Sequence, residues 1–248
     1  ARLRERLVQL RTQLAAGQPP DLADWLDTLE QMTMYEKYFT AEELKTLPLH
    51  TDPDVLPAWS ALVTAVQSAM DRGATPDDAD AQQLALQWME MIGRGTGNNP
   101  AFLLRLRTMT EDEPGMRERS GITPALERFV ENAMVSARLA IFERYLNEAE
   151  MQRMRQHYGK QMYAWPELIV ELRTALANDV PAHAPAVQAM ATRWMAMFRE
   201  YAGDDPTTHA KIREAYAREP DLRSGSAVDD ALLTYVREAA TSAMARPH

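Results

Sequence analysis

Cysteine is absent from all 248 residues, which excludes disulfides and thiolate metal sites and leaves nothing that requires an oxidising compartment. Glycine is scarce, at 10 residues. The chain has no glycine-rich phosphate or dinucleotide turn, no G-x-S-x-G elbow and no H-E-x-x-H pair. No apolar run approaches the roughly eighteen residues of a membrane span, and the Arg-rich start lacks the apolar stretch of a secretory signal. A cytoplasmic protein without membrane contact is the expectation. Positive charge is lacking as well, the formal net charge being −9. Residues 1–16 hold four Arg and one Glu, a net +3, so the remainder carries −12. A body that acidic does not grip a phosphate backbone unaided.

Catalytic groupings are equally thin. The five histidines, His50, His157, His183, His209 and His248, are scattered, and no set of nucleophile, base and orienting group can be assembled from spacing. No enzyme activity, catalytic residue, metal ligand or cofactor is therefore expected. One alternative stays open at this point, a haem or cofactor sensor in which His157 faces a flat apolar pocket.

What the chain does contain is one helical unit written twice, about 106 positions apart. Tyr38-Phe39-Thr40-Ala41-Glu42-Glu43-Leu44 returns as Tyr145-Leu146-Asn147-Glu148-Ala149-Glu150-Met151, and Ala58-Trp59 as Ala164-Trp165. Gln87-Trp88-Met89 returns as Arg193-Trp194-Met195, Asn98-Asn99-Pro100 as Asp204-Asp205-Pro206, and Glu113-Pro114 as Glu219-Pro220. A tandem duplication sets two similar units against each other, and clefts between such units favour ligands.

The pattern predicts an all-α fold, since no stretch alternates with period two. The first unit, 38–141, reads as helices from Thr40, over Trp59 to Met70, Asp80 to Ile92, Pro100 to Thr110 and Pro124 to Leu146. The second, 142–248, reads as helices over Asn147 to Lys160, Pro166 to Ala177, Pro185 to Tyr201, Pro206 to Ala217 and Val228 to Met244. Asn99-Pro100, Thr123-Pro124 and Asp205-Pro206 each pair a capping side chain with proline at the first helical position, where its missing N–H costs nothing. Glu113-Pro114 and Glu219-Pro220 end the preceding helix, because the residue before proline is pushed out of the α region. After Pro124 neither glycine nor proline occurs until Gly159, so the two units are expected to be joined by helix.

Upstream, Leu3, Leu7, Leu10 and Leu14 follow a 4-3-4 spacing, the a and d positions of two heptads. The stripe ends at Gly17-Gln18-Pro19-Pro20. Residues 1–17 read as the end of a dimerising coiled coil, the alternative being a short amphipathic helix packed on its own domain. Residues 18–37, with Leu22, Trp25, Leu26, Leu29 and Met32 on one face, read as a connector. The chain opens on Ala rather than Met, and the natural protein is expected to extend upstream.

The strongest candidate chemistry is aromatic. Met190, Trp194, Phe198 and Tyr201 run down one helical stripe, and Phe102, Leu106 and Met109 down another. Such stripes are core in most proteins, yet an aromatic groove would hold a long, flat molecule by stacking and desolvation. Fifteen Met add adaptable lining or core filling. A further alternative is a protein-interaction module gripping a partner helix through that Met-rich surface.

These residues carry a family resemblance. Residues 34–245 resemble a tandem of the TipAS-type antibiotic-recognition domain, through Tyr38-Phe39-Thr40-Ala41-Glu42-Glu43-Leu44, Arg144-Tyr145-Leu146-Asn147, Arg155-Gln156-His157-Tyr158, Trp165-Pro166, Arg193-Trp194, Tyr201-Ala202-Gly203 and Glu219-Pro220. The resemblance implies two globin-like helical units that bind a long aromatic antibiotic such as albicidin. It also implies the C-terminal part of a MerR-type transcription regulator, or a short form that only traps the drug. DNA would then be read only by an N-terminal winged helix-turn-helix absent from this chain, with a homodimer formed through residues 1–17. Trp194, Tyr201 and His157 match the lining of the albicidin binders. Phe142 stands where those proteins carry Trp, and Thr110 where they carry His. Tyr158, Phe102, Met109, Trp88 and Phe198 complete the candidate ligand-binding set.

The heptad stripe makes its own prediction. Leu7→Glu is expected to weaken the dimer while sparing ligand binding, because an unpaired carboxylate at a coil seam is strongly unfavourable. Sedimentation of wild type and variant at equal mass would show that the coil does not govern assembly.

Overall fold

A computed structural model describes residues 33–113, 115–116 and 120–244. The proposed coil at 1–17 and the connector as far as residue 32 lie outside the described residues. The described residues fall into two compact units, one ending at Leu44 and the other beginning at Lys45. In the first, residues 33–38 are helical. Thr40 and Glu43 close a reciprocal cap, the Thr40 N–H donating to Glu43 and the Glu43 N–H to the Thr40 hydroxyl.

Helices in chain order are α1 (Ala41–Thr46), α2 (Pro48–Thr51), α3 (Val55–Asp71), α4 (Ala79–Thr96), α5 (Pro100–Asp112) and α6 (Pro124–Phe142), followed by α7 (Glu148–His157), α8 (Ala164–Ala177), α9 (Pro185–Ala202), α10 (Pro206–Arg218), α11 (Pro220–Arg223) and α12 (Asp230–Met244). No strand occurs among the described residues.

The duplication is visible in the helix boundaries. Helices α4 and α9 each have 18 residues and begin at 79 and 185. Helices α5 and α10 each have 13 and begin at Pro100 and Pro206. Each half also closes one tryptophan pair: Trp59 of α3 meets Trp88 of α4 at 4.6 Å between ring centroids, and Trp165 of α8 meets Trp194 of α9 at 4.8 Å.

Local chemistry explains the ends. Asn99 accepts from the Ala101 N–H, Thr123 from Leu126 and Asp205 from Thr207, so each satisfies an orphan donor of a proline-started helix. Helices α5 and α10 stop at Asp112 and Arg218, with Glu113 and Glu219 extended at φ −113°. One expectation fails in detail: α6 ends at Phe142 rather than running to Leu146. Asn147 opens α7 with a capping box, accepting from Glu150 while Glu150 accepts from the Asn147 N–H. That box needs extended backbone at Asn147. Tyr145 is drawn aside to donate its hydroxyl to Glu219 at 2.6 Å, and Arg144 pairs with the same carboxylate at 2.9 Å.

Three apolar cores organise the second unit. Helices α3, α4 and α6 enclose one, and α8, α9 and α12 enclose its counterpart. The third gathers the C-terminal end of α6, α7, the end of α9, α10 and α11. Helix α6 therefore belongs to both halves.

The halves also meet backbone to backbone at Gly225, which has φ +68°. A Cβ there would lie 2.7 Å from the Met89 carbonyl oxygen and 2.8 Å from the Met89 methyl carbon. Only glycine fits such a conformation without strain. Gly225→Ala is expected to cost about 1–3 kcal/mol, a fall of at least roughly 2–4 °C in Tm for a chain of this size. An unchanged melting curve would show that this approach is not a constraint.

Candidate ligand-binding site

A cavity of about 930 Å³ opens beside α9, within the roughly 300–1,000 Å³ range of small-molecule pockets. Most of its wall comes from the second half: the α7–α8 connection, α8, α9, α10, α11 and α12. The first half closes one side with Met89, Pro100, Leu103, Met134 and Arg138.

The wall is an edge-to-face series of rings. Phe142 meets Tyr216 at 5.8 Å and Tyr158 at 5.6 Å, Tyr158 meets Tyr201 at 5.4 Å, and Tyr201 meets Phe198 at 5.4 Å. Phe198 rests in turn on His209 at 4.9 Å. Each such contact puts a positive ring edge on a negative face, worth about 0.5–1.5 kcal/mol beyond the buried area. His209 is held by a 2.7 Å hydrogen bond between Nε2 and the Gly203 carbonyl, so it is a satisfied core histidine. Trp165 and Trp194, set nearly perpendicular, add a second aromatic corner.

Polar groups enter at two places. At one, His157, Gln161 and Glu200 share the wall; Gln161 donates to Glu200, and His157 Nδ1 lies 3.7 Å from the same carboxylate with no hydrogen-bond partner. At the other, Arg138 reaches in from α6 and donates from Nη2 to the Ser224 carbonyl at 3.1 Å, leaving Nε without a partner. Burial works against its charge, but the neighbouring Tyr158 and Tyr216 oxygens, a hydrogen bond to the Tyr158 phenol and then Tyr201 outweigh it, and its already high pKa is pushed up further. Burial and then the Tyr158 phenol push Tyr201 well above the ordinary range, and Tyr216 rises for the same reasons. Both stay neutral hydroxyls at physiological pH.

Of the sequence candidates, Trp194, Tyr201, His157, Tyr158 and Phe198 line the cavity. Phe142 does not: it is fully buried behind the wall, supporting Tyr158 and Tyr216. Phe102, Met109 and Trp88 are buried in the first half. Thr110 caps its own helix, donating its hydroxyl to the Leu106 carbonyl. None of these four lines the cavity.

Sequence reasoning missed Arg138, Trp165, Tyr216, Gln161 and Glu200. Arg138 carried a readable signal, for Met134, Arg138 and Phe142 recur at i, i+4 and i+8 on α6, which places a charge within a buried stripe.

Among the described residues no group of His, Asp or Glu stands ready to hold a metal ion, and no helix is long and apolar enough to cross a membrane. An all-α double unit built round an aromatic cavity is the class that fold and geometry define. The chain belongs to the TipAS antibiotic-recognition domain family, whose domain matches residues 51–136 and again residues 141–242. It is similar to the albicidin resistance protein of Klebsiella oxytoca, being 28% identical over 213 residues that cover 83% of this chain and 94% of that protein.

Proposed function

We propose that this chain is a drug-binding protein that traps a long aromatic antibiotic, albicidin or a molecule of that kind, in the α9 cavity. The observation that carries this reading is the cavity itself, with Trp165, Trp194, Tyr158, Phe198, Tyr201 and Tyr216 on its wall. Stacking and desolvation hold the ligand, and Met89, Met134, Met162, Met195 and Met197 let the wall adapt to its shape. No bond is made or broken, so the protein acts stoichiometrically rather than as an enzyme. The ligand lies mainly within the second half, with the first half closing one side, rather than evenly between the two.

In this reading residues 38–141 and 142–248 are the two recognition repeats, 18–37 the connector and 1–17 the end of a dimerising coil. The whole is the effector part of a cytoplasmic MerR-type regulator or its short sequestering form. The acidic charge fits a fragment that leaves DNA to another part of the molecule. A helix-gripping interaction module is less well supported. Among the described residues the exposed large hydrophobics are only Leu56 and Tyr163, too few and too separate for an apolar groove.

Intrinsic tryptophan fluorescence titrated with albicidin and other flat aromatic antibiotics tests the reading. Trp194→Ala is expected to weaken binding about tenfold or more, the loss typical of a stacking anchor. Trp59→Phe, in the matching pair away from the cavity, is expected to leave affinity unchanged. A folded Trp194→Ala protein that binds as tightly as wild type would move the site elsewhere.

A further inference from the structure

Two stretches of the cavity wall are not helical, and they are held in different ways. Residues 158–163 join α7 to α8 as successive turns; Tyr158, Gly159, Gln161 and Met162 line the cavity, while Lys160 and Tyr163 are exposed. This connection is a single layer of chain between cavity and solvent. Gly159 bends it at φ +86°, and a Cβ there would lie 2.8 Å from Val135 Cγ2, so the bend requires glycine.

The outer end of the connection is fastened to the first half by side chains. The Tyr163 hydroxyl donates to Glu131 of α6, and the Arg107 guanidinium of α5 lies 3.8 Å from the centre of the Tyr163 ring. Arg107 Nε donates in turn to Glu111 at 2.8 Å. Burial and then the Glu131 hydrogen bond push the Tyr163 hydroxyl up to about 12, so at neutral pH it keeps the proton it donates. Tyr163 is nonetheless 44% exposed, and contacts this open to water are individually weak. The other stretch, residues 224–229 between α11 and α12, is tied by its backbone. Arg138 donates to the Ser224 carbonyl, Arg173 donates twice to the Ala227 carbonyl, and Gly225 lies against the Met89 backbone. Of the two, the α7–α8 connection has the fastening that is easier to undo.

We propose that the α7–α8 connection is the door through which the ligand enters and leaves, and that the clasp of Arg107 and Glu131 on Tyr163 sets how fast it opens. The proposal rests on the cavity being the ligand site and adds the route of entry and the residues that govern its rate. Opening parts Tyr163 from Glu131 and Arg107, parts Gln161 from Glu200, and uncovers the Trp165 corner of the cavity. Tyr163 is not part of the cavity wall. A clasp that touches no ligand and is closed both before and after binding changes the barrier in both directions and leaves the equilibrium nearly unchanged.

The test is stopped-flow tryptophan fluorescence with albicidin. Tyr163→Phe is expected to raise the association and dissociation rates together by about three- to tenfold, the weight of one hydrogen bond, with Kd changed by less than about twofold. Arg107→Gln acts in the same direction. Arg94→Gln, which breaks an exposed ion pair with Asp52 elsewhere in the first half, leaves both rates as they are. Because the chain has no cysteine, Tyr163→Cys combined with Glu131→Cys provides a unique pair of thiols across the clasp. Bridging them with a short reducible bis-thiosulfonate linker is expected to slow albicidin uptake strongly, and reduction restores it.

Unchanged rates in folded Tyr163→Phe overturn the proposal and leave the cavity as the ligand site. So does a bridged protein that takes up albicidin as fast as the unbridged one, or a Tyr163→Phe effect confined to dissociation, which marks the clasp as a stabiliser of the bound state only. If Tyr163→Phe does not fold, Arg107→Gln and the bridged pair decide. Failure of albicidin to bind wild type overturns this proposal together with the reading of the cavity.

Discussion

The burial of the C-terminal end of α6 in the second half is the contact on which the other features depend. Ile141 and Phe142 leave the first half's core and enter the core made by α7, α9, α10 and α11. Phe142 is fully buried there, which is worth about 1.5–3 kcal/mol in removed apolar area. Its larger effect is geometric. Two of the cavity's tyrosines, Tyr158 and Tyr216, are held edge-on against its ring, and Tyr158 passes the constraint to Tyr201. One turn earlier on the same face Arg138 enters the cavity, and one turn before that Met134 does. Anchoring Phe142 therefore also sets where the Arg138 side chain enters the cavity.

A duplicated sequence has produced unequal halves. The tryptophan pair is preserved in both, yet Trp59 and Trp88 pack in a core while Trp165 and Trp194 line the cavity. The difference follows from residues 106 positions apart. Where the second half has Phe198, Tyr201 and Tyr216 on the wall, the first has Ile92, Gly95 and Thr110. The first half lacks those rings and serves as a scaffold, presenting Met89 to Gly225 and the end of α6 to the second core. One copy supplies rigidity, and the other is left to diversify its wall.

Helix order was legible in the sequence where a break has a local cause: an Asn, Asp or Thr cap followed by proline at α5, α6 and α10, or a glutamate forced out of the α region by the proline after it at the ends of α5 and α10. The end of α6 at Phe142 was legible only in part: the Asn147–Glu150 capping box is local, whereas Tyr145 is held by Glu219, 74 residues away. The α9 part of the site, Trp194, Phe198 and Tyr201, could be read from helical spacing. Phe142, Phe102 and Met109 show the same apolar periodicity but face cores, and periodicity alone does not distinguish a core face from a cavity face. Trp165 and Tyr216 reach the cavity from helices whose packing angle no spacing encodes.

The polar residues raise a different difficulty, because charge counted along a chain says little about the field inside it. The chain is acidic overall, and many of its carboxylates sit on outer faces in ion pairs such as Arg155 with Glu143 and Glu148, or Arg218 with Glu214. Those pairs are exposed and screened, and each contributes little. Arg138 is outnumbered in any count, yet it stands half-buried on an aromatic wall, where a charge is screened less than on the outer faces. An acidic exterior discourages anions in general, including nucleic acid, whereas the cavity wall carries Arg138, Arg213, Arg223 and Arg237 against the carboxylates Glu200 and Asp230. The charge lining the cavity is therefore opposite in sign to that of the chain as a whole.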